Sequence, residues 1–505
     1  MLKRSGTPAL LIALVALSTG CMTWKRSPEP VTQLLSQRGE EVIRVRLRDS
    51  TTVKVQSPHI EDGYLVGTQG VRVPIDQVVY TELYRVDVPY TVASVVIAAG
   101  IGISVSYLGR NSGSKSYKKE STGSSSCPLV YSWTGGGWRL DSGTFGGAIT
   151  RGLARTDIDN LEHLKVVDGR VRLRVANELD ETDHLDELRI LVVEHPRGTS
   201  VVPGARGEID VLGPLTSPSR ATDLEGRDVL DRVIAADGWG WESDPTLGRG
   251  GAVPAPRDGI ELDFVRPKGA RTARLVVDAS NTPWAAFLMS QLIEAHGRGT
   301  NAWYASLDNH PAAARAFGER LASEAFLRAS VHTASGWESQ GLVWEAGPEI
   351  GKRQALELDL RNVAGDTVRV RLDAPRAFWL IDRVQMEFAG PDPRPKPLAV
   401  TELSAVRATT SRGRDVVDVL SRSDGRELTL ETGDRADLVF RVPDPPKNHE
   451  RTILLEIHGW YRVHTPNRGE PDRALLRRVE EPGGITAAAA ERLDSALVYL
   501  NRARQ

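Results

Sequence analysis

Hydrophobic and polar residues alternate in short runs along most of this chain, which is the pattern of half-buried β-strands. The first runs lie within 42–87, as in Val42–Leu47 (VIRVRL), and glycines such as Gly63 separate them. Four or five strands in so short a region predict a small antiparallel β-barrel, with an open antiparallel sheet as the alternative. We expect residues 21–41, which precede these strands, to form a tether.

An uncharged stretch, TVASVVIAAGIGISVSYLG, occupies 91–109. As a helix it would span roughly 28 Å, which is enough to cross the hydrocarbon core of a bilayer. Small residues recur every four positions in it, a spacing that lets membrane helices pack closely and self-associate; they are Ser94, Ala98, Gly102 and Ser106. We predict a transmembrane helix over 88–109 and a flexible Ser/Gly/Lys linker over 110–127. The many Val and Ile residues leave a buried pair of soluble strands as the alternative.

One phrase is written twice, as RATDLEGRDVLD from Arg220 and as RATTSRGRDVVD from Arg407. The glycine would supply a backbone angle that other residues resist, and the aspartate would accept backbone N–H bonds. We therefore predict a structural turn in each copy, with a doubled ligand or ion site as the alternative. The repeated turn residues are Gly226, Arg227 and Asp228, matched by Gly413, Arg414 and Asp415.

Weaker similarity surrounds this phrase, and it aligns Asp186 with Asp382, for which we also predict a structural role. Short alternating runs between Pro, Gly and Asp turns predict two duplicated antiparallel β-sandwiches in tandem, in a mainly β fold. Copy 1 would span 128–284 and copy 2 would span 331–466. We expect a helical insert over 285–330 between them, and a tail over 467–505 that ends in a C-terminal helix.

The charge balance narrows the classes of function. The chain of 505 residues has 64 Lys and Arg against 66 Asp and Glu, which argues against a nucleic-acid partner because such proteins need a basic face. Its two cysteines, Cys21 and Cys127, exclude a paired-cysteine zinc site. The sequence contains no nucleophile elbow, zinc-protease motif or phosphate loop. We predict no cofactor.

The N-terminus has a short positive segment, an apolar run from Pro8 to Leu17, and then Ser18-Thr19-Gly20-Cys21. It is typical of a signal peptide over 1–20, and the small residues before Cys21 resemble the lipobox of bacterial lipoproteins. Leu17 stands one place earlier than in that motif. The resemblance implies cleavage before Cys21 and its acylation; the alternative is an ordinary signal peptide with an incidental cysteine.

Further along, CPLVYSW and NTPWAAF resemble segments of uncharacterised β-rich bacterial envelope proteins, which implies a fold and a location without an activity. In the bacterial lipoproteins that the N-terminus resembles, an aspartate after the cysteine retains the protein at the inner membrane. This chain has Met22 there, so the resemblance implies the outer membrane. A spanning helix does not suit that membrane, so both the membrane and the side that carries 128–466 stay open.

The candidate ligand-binding residues are few. RTDIDNLEH has oxygen ligands at Asp157 and Asp159, but it lacks the glycine and the terminal glutamate of a calcium loop, so it is a weak metal candidate. Five tryptophans near glycines could stack on sugars or enter partner pockets, with core packing as the alternative; they are Trp133, Trp138, Trp239, Trp241 and Trp344.

We predict a membrane-tethered binding or scaffolding protein with a protein or glycan partner. The alternative is a hydrolase that acts on an envelope polymer through acidic residues of copy 1.

Overall fold

The computed structural model describes residues 22–27, 30–37, 42–48, 52–67, 71–86, 127–204, 207–243, 255–344, 346–389, 396–445 and 448–502. The chain divides into two compact units, Met1–Gly109 and Arg110–Gln505. Antiparallel strands dominate, so the fold is mainly β as predicted.

Four predicted features fall outside the described residues: the signal peptide over 1–20, the lipid site at Cys21, the membrane segment over 88–109 with its four small residues, and all of the linker except Cys127. Among the residues that the structure does describe, no helix is both long enough and apolar enough to cross a membrane.

The first unit contains two small sheets and one short helix. A four-stranded sheet has the order β1-β7-β2-β3, and a three-stranded sheet has the order β4-β5-β6. The elements are β1 (Met22–Arg26), α1 (Val31–Gln37), β2 (Val42–Leu47), β3 (Thr52–Gln56), β4 (His59–Glu61), β5 (Tyr64–Val66), β6 (Arg72–Pro74) and β7 (Val78–Val86).

Part of the expected tether belongs to this folded unit. β1 pairs with β7 from Met22↔Val86 to Arg26↔Glu82, and Leu34 of α1 is buried in the same core as Ile43. The expected boundary at residue 42 is therefore wrong, because an apolar helix face and a backbone ladder join 22–37 to the strands. The strands also pair in two sheets, whereas we expected a single barrel or a single sheet.

The second unit has twenty-one strands among its described residues. They are β8 (Leu129–Trp133), β9 (Trp138–Gly143), β10 (Arg155–Asn160), β11 (Arg170–Ala176), β12 (Glu181–His195), β13 (Ser200–Pro203), β14 (Ile209–Leu212), β15 (Arg220–Asp223), β16 (Trp241–Glu242), β17 (Arg257–Val265), β18 (Thr272–Asn281), β19 (Leu327–Thr333), β20 (Gly336–Val343), β21 (Lys352–Asp359), β22 (Thr367–Pro375), β23 (Trp379–Phe388), β24 (Ala399–Ser404), β25 (Arg407–Thr410), β26 (Leu428–Glu431), β27 (Arg435–Arg441) and β28 (Glu450–Val463).

Helices lie between the two groups of strands and at the end of the chain. They are α2 (Pro283–Glu294), α3 (Thr300–Asn309), α4 (Pro311–Ala325), α5 (Arg473–Glu480) and α6 (Gly484–Arg502), with a single turn at Val417–Leu420. The Thr282 side chain accepts a hydrogen bond from Ala285 N, and Pro283 occupies the first position of α2; both residue types are favoured at these positions. Leu288 and Leu292 of α2 are buried.

Sheet pair 1 consists of sheet 1A and sheet 1B around one hydrophobic core. Sheet 1A has the order β25-β27-β11-β8-β9, and sheet 1B has the order β10-β28-β12-β24, with β26 also beside β12. Alternate residues of both sheets point into the core, including Leu173 and Leu438 of sheet 1A and Leu188 and Ile457 of sheet 1B. This alternation is the pattern that identified these segments as strands.

Sheet pair 2 repeats this arrangement. Sheet 2A has the order β15-β17-β22-β19-β20, and sheet 2B has the order β16-β23-β18-β21. Each strand of sheet 2A corresponds, in order, to one of sheet 1A. Sheets 1B and 2B also match, except that the exposed edge strand β24 has no counterpart in sheet 2B.

The two predicted copies do not fold separately. Sheet pair 1 takes β8–β12 from copy 1 and β24–β28 from copy 2, whereas sheet pair 2 takes β15–β18 from copy 1 and β19–β23 from copy 2. The expectation of one sandwich over 128–284 and another over 331–466 is therefore wrong. Alternation identifies the buried face of a strand but not its partner, and β12 pairs with β28 from Glu181↔Val463 to His195↔Glu450.

Candidate functional site

The predicted acidic cluster lies on β10, at the edge of sheet 1B, and Asp157 is held there by three donors. Its carboxylate accepts hydrogen bonds from Phe145 N (2.9 Å) and Arg155 Nε (2.9 Å), and Lys352 Nζ lies 3.4 Å away. Burial alone raises the pKa of Asp157, but Arg155 and Lys352 outweigh it and hold the pKa well below its usual value. Asp157 is thus a buried anion that is already neutralised.

Asp159 lies on the same face of β10 in a different state. It accepts a hydrogen bond of 2.5 Å from Ser142 Oγ, and only 4% of its surface is exposed. Burial raises its pKa to about 7, against the opposing effect of Lys352. Among the described residues, no group of three or more His, Cys, Asp or Glu side chains is placed to hold a metal ion.

His163, at the end of the cluster, contacts Asp141 of β9 in sheet 1A. Its Nδ1 lies 2.7 Å from Asp141 Oδ1, and its backbone N–H donates to the same carboxylate. Asp141 is itself buried. The side chains of the RTDIDNLEH stretch therefore contact separate partners and do not converge on one point.

The repeated phrase forms a tight turn after β15 in copy 1. Asp223 N donates to Arg227 O (3.0 Å), and Gly226 N donates to Asp223 O (3.0 Å). Asp228 Oδ1 then accepts from Leu230 N at 2.9 Å. Gly226 has φ +83°, which only glycine adopts without strain.

The second phrase, after β25, has the same hydrogen bonds. Thr410 N donates to Arg414 O (3.0 Å), Gly413 N donates to Thr410 O (2.9 Å), and Asp415 Oδ1 accepts from Val417 N (2.9 Å). Gly413 has φ +79°. In both places the aspartate and the glycine therefore hold the backbone of a turn.

Asp186 and Asp382 hold two further loops, and they do so across the copies. Asp186 Oδ1 accepts from Gly425 N (3.0 Å) and Asp424 N (3.3 Å), while its other oxygen accepts from Ser423 Oγ. Asp382 accepts from Gly238 N at 3.0 Å. Each aspartate thus binds the Asp-Gly loop of the other copy, which is what the exchanged strand pairing requires.

A pair of buried carboxyl groups was not predicted from the sequence. Glu181 and Asp183 lie two positions apart on β12 and are almost completely buried, close to the buried thiol of Cys127. Burial raises the pKa of each carboxyl well above its usual value, and the neighbouring Asp183 carboxyl adds to the effect on Glu181. The alternation of ETDHLDEL, which places both acids on the face of Leu185, is the signal that could have found them.

The five candidate tryptophans lie in different surroundings. Trp133 and Trp138 pair across the β8–β9 hairpin, with ring centroids 5.3 Å apart. Trp239 lies beneath the Arg232 guanidinium, Trp241 is buried, and Trp344 packs against Phe326. The structure therefore brings only Trp133 and Trp138 together.

These two tryptophans end a row of side chains that crosses the outer face of sheet 1A. Register places Arg407 beside Val439 and Val439 beside Arg172, and the Arg172 guanidinium lies 5.9 Å from the Trp133 ring. The two arginines are exposed, and the tryptophans and Val439 are half-buried. The row faces solvent, with arginines toward β25 and tryptophans toward β9, where the Arg174 guanidinium also lies 4.4 Å from the Trp138 ring centroid.

A cleft of about 720 Å³ lies beside the end of β10. Its walls include Glu162, His195, Arg353 and Arg451, whereas the side chains of Asp157, Asp159 and His163 are not part of its lining. The ring nitrogens of His195 lie 2.9 Å from Thr199 Oγ1 and 3.0 Å from Thr452 Oγ1. The volume suits a small ligand, but the histidine is already engaged.

Comparison with known protein families and with curated proteins finds no match to this chain.

Proposed function

We propose that this chain is a membrane-tethered envelope lipoprotein with a binding or scaffolding role toward a protein or a glycan. The outer face of sheet 1A, with Trp133 and Trp138 beside Arg172, is the contact surface that we assign to this role. Tryptophan and arginine side chains contribute disproportionately to recognition surfaces.

The observation that carries the proposal is the position of the acidic side chains. The repeated aspartates hold turns, Asp186 and Asp382 hold loops, and Asp157 pairs with Arg155 and Lys352. Catalysis by carboxylates requires them to converge on a space that a substrate can enter. The acids that the sequence singles out do not converge in this way.

The hydrolase alternative rests on one specific observation. Asp159 is a carboxyl with a pKa of about 7, and groups with shifted pKa values are frequent at catalytic sites. It lies on the strand that leads into the cleft, two residues before Leu161, which lines it. A general acid in this place would need access that its 4% exposure does not provide.

A co-sedimentation assay with purified peptidoglycan tests the proposal against the alternative. We expect the full chain in detergent to sediment with the polymer and to release no soluble fragments. Trp138→Ala should weaken sedimentation, whereas Trp337→Ala, on the equivalent strand β20 of sheet 2A, should not. Release of fragments that Asp159→Asn abolishes would overturn the binding role and establish the hydrolase.

We also propose that the two sheet pairs arose by duplication of one ancestral unit whose halves then exchanged partners. The equal strand orders of sheets 1A and 2A support this origin, as do the matched turns at Gly226 and Gly413. Sheet pair 2 is then a continuous insertion between β12 and β24 of sheet pair 1, preceded by β13 and β14, which pair with each other.

The membrane attachment is proposed on the sequence alone. Acylation of Cys21 and insertion of 88–109, with self-association through its small residues, would place the folded units in the bacterial envelope.

A further inference from the structure

Corresponding rows of sheets 1A and 2A differ at one decisive position. In sheet 2A, Asp263 lies between Arg220 and Arg369, with its carboxylate 3.7 Å and 3.6 Å from their side chains. In sheet 1A the corresponding residue is Val439, between Arg407 and Arg172. The acid that pairs with two arginines in one sheet is therefore replaced by an uncharged residue in the other.

A second replacement adds cations to the same face of sheet 1A. Arg170 and Arg441 are register partners at the ends of β11 and β27. Their counterparts in sheet 2A are Thr367 and Val265, also register partners and both uncharged. Like charges directly opposite each other on neighbouring strands destabilise a sheet, so the pair in sheet 1A has a cost in the isolated chain.

Four exposed arginines of this face thus lack a carboxylate partner: Arg170, Arg172, Arg407 and Arg441. Across the described part of the chain, no ion pair involves any of them, and the nearby Asp437 is already bound to Arg174. In sheet 2A, by contrast, Glu261 and Asp263 neutralise the arginines of β15 and β22.

We propose that the outer face of sheet 1A binds an acidic glycan, with the four arginines contacting its carboxylate or phosphate groups and the indoles of Trp133 and Trp138 contacting its sugar rings. The inference rests on the proposed binding role and names the class of ligand. Guanidinium groups bind carboxylates and phosphates through paired hydrogen bonds, and indole rings stack on apolar sugar faces.

The shape of the face favours a glycan chain over the other polyanions. The row from Arg407 to Trp138 crosses four inter-strand spacings, or about 19 Å, which suits an extended polymer of several sugar units. The tryptophans are half-buried in the sheet, whereas insertion into a membrane requires protruding apolar groups. The balanced charge of the whole chain does not provide the broad basic field of nucleic-acid binding proteins.

Binding of the full chain to immobilised polygalacturonate tests this inference, with uncharged dextran as the reference polymer. We expect binding to polygalacturonate alone, which weakens as salt is raised. Val439→Asp should weaken it about tenfold because the new acid would pair with Arg172 and Arg407, as Asp263 pairs with their counterparts. The double variant Arg172→Gln/Arg407→Gln should weaken it at least as much.

The matched control is the double variant Arg220→Gln/Arg369→Gln, which removes the corresponding arginines of sheet 2A and should leave binding unchanged. Equal losses in both double variants, or no binding of the wild-type chain at low salt, would overturn the inference. So would arginine-dependent binding to phosphatidylglycerol vesicles or single-stranded DNA without binding to polygalacturonate. Release of reducing ends from the bound polymer would instead overturn the proposed non-catalytic role and leave the location of the surface standing.

Discussion

Replacement of Asp186 by alanine should open the loop that contains Asp424 and Gly425. Asp186 accepts hydrogen bonds from Ser423 Oγ, Asp424 N and Gly425 N, and its side chain is buried. Hydrogen bonds to a charged group contribute about 1.5–3 kcal/mol, and the loss leaves backbone donors without a partner. We therefore expect Asp186→Ala to lower the free energy of unfolding by about 3 kcal/mol.

Two measurements check this prediction. Urea denaturation gives the change in stability, and amide hydrogen exchange gives the opening of residues 423–426. Asp186→Asn, which keeps one acceptor oxygen, should have an intermediate effect. Asp366→Ala removes an exposed acid and should change stability by less than about 0.5 kcal/mol. Unchanged exchange at Gly425 in Asp186→Ala would refute the structural role that we assign to this acid.

Three further predictions follow from individual residues. Gly226→Ala and Gly413→Ala should each lower the free energy of unfolding by about 1–2 kcal/mol in urea denaturation, because φ is positive at both positions. No atom lies within 4 Å of the added Cβ, so the loss comes from the backbone angle alone. Gly136→Ala, which is also in open space but has no positive φ, should lower stability far less. Unequal costs at 226 and 413 would contradict the equivalence of the turns. Burial raises the pKa of Asp159 from 3.8 to about 7. Between these pH values the folded chain therefore binds more protons than the unfolded chain. The free energy of unfolding should fall as the pH rises through this range, by about 4 kcal/mol in all. Asp159→Asn should flatten this part of the stability profile, and a profile with the wild-type slope would show that another group titrates. Cys21→Ala should abolish labelling of the chain by radioactive palmitate, and a label that persists would end the lipoprotein assignment.

Local features of the fold could be predicted because they depend on neighbouring residues. The positive φ of Gly226 and Gly413 follows from a glycine in a repeated turn, and the start of α2 follows from Thr282-Pro283. The strands of 42–86 also follow from their alternation. Each of these signals lies within a few residues of the element that it specifies.

The strand partners could not be predicted, because they depend on residues far apart in the chain. β18 and β28 are corresponding strands, and both have an alternating apolar face. Alternation therefore cannot tell which of the two pairs with β12. The sequence aligns Asp186 with Asp382, but their hydrogen bonds to Gly425 and Gly238 cross between the two predicted copies. The same local sequence patterns are compatible with two tandem sandwiches and with the exchanged pairing that the structure has.

The candidate site was predictable in part. Glycines near Trp133 and Trp138 mark them as potentially exposed, but the same argument selects the buried Trp241. The sequence does not single out the arginines of β11, since Arg407 and Arg441 come to lie near them only after β25 and β27 join sheet 1A. A binding face built from two distant segments leaves no continuous motif.

The pairing of β10 with β28 provides the most direct test of the exchanged halves. Thr156 and His458 are register partners, with Thr156 Oγ1 3.0 Å from His458 Nδ1. A chain with Thr156→Cys and His458→Cys should form an intramolecular disulfide, which peptide mass mapping identifies, whereas Thr156→Cys with Asp278→Cys should not. Asp278 on β18 corresponds to His458, so a disulfide in the second variant and none in the first would show two separate tandem sandwiches and contradict the fold described above.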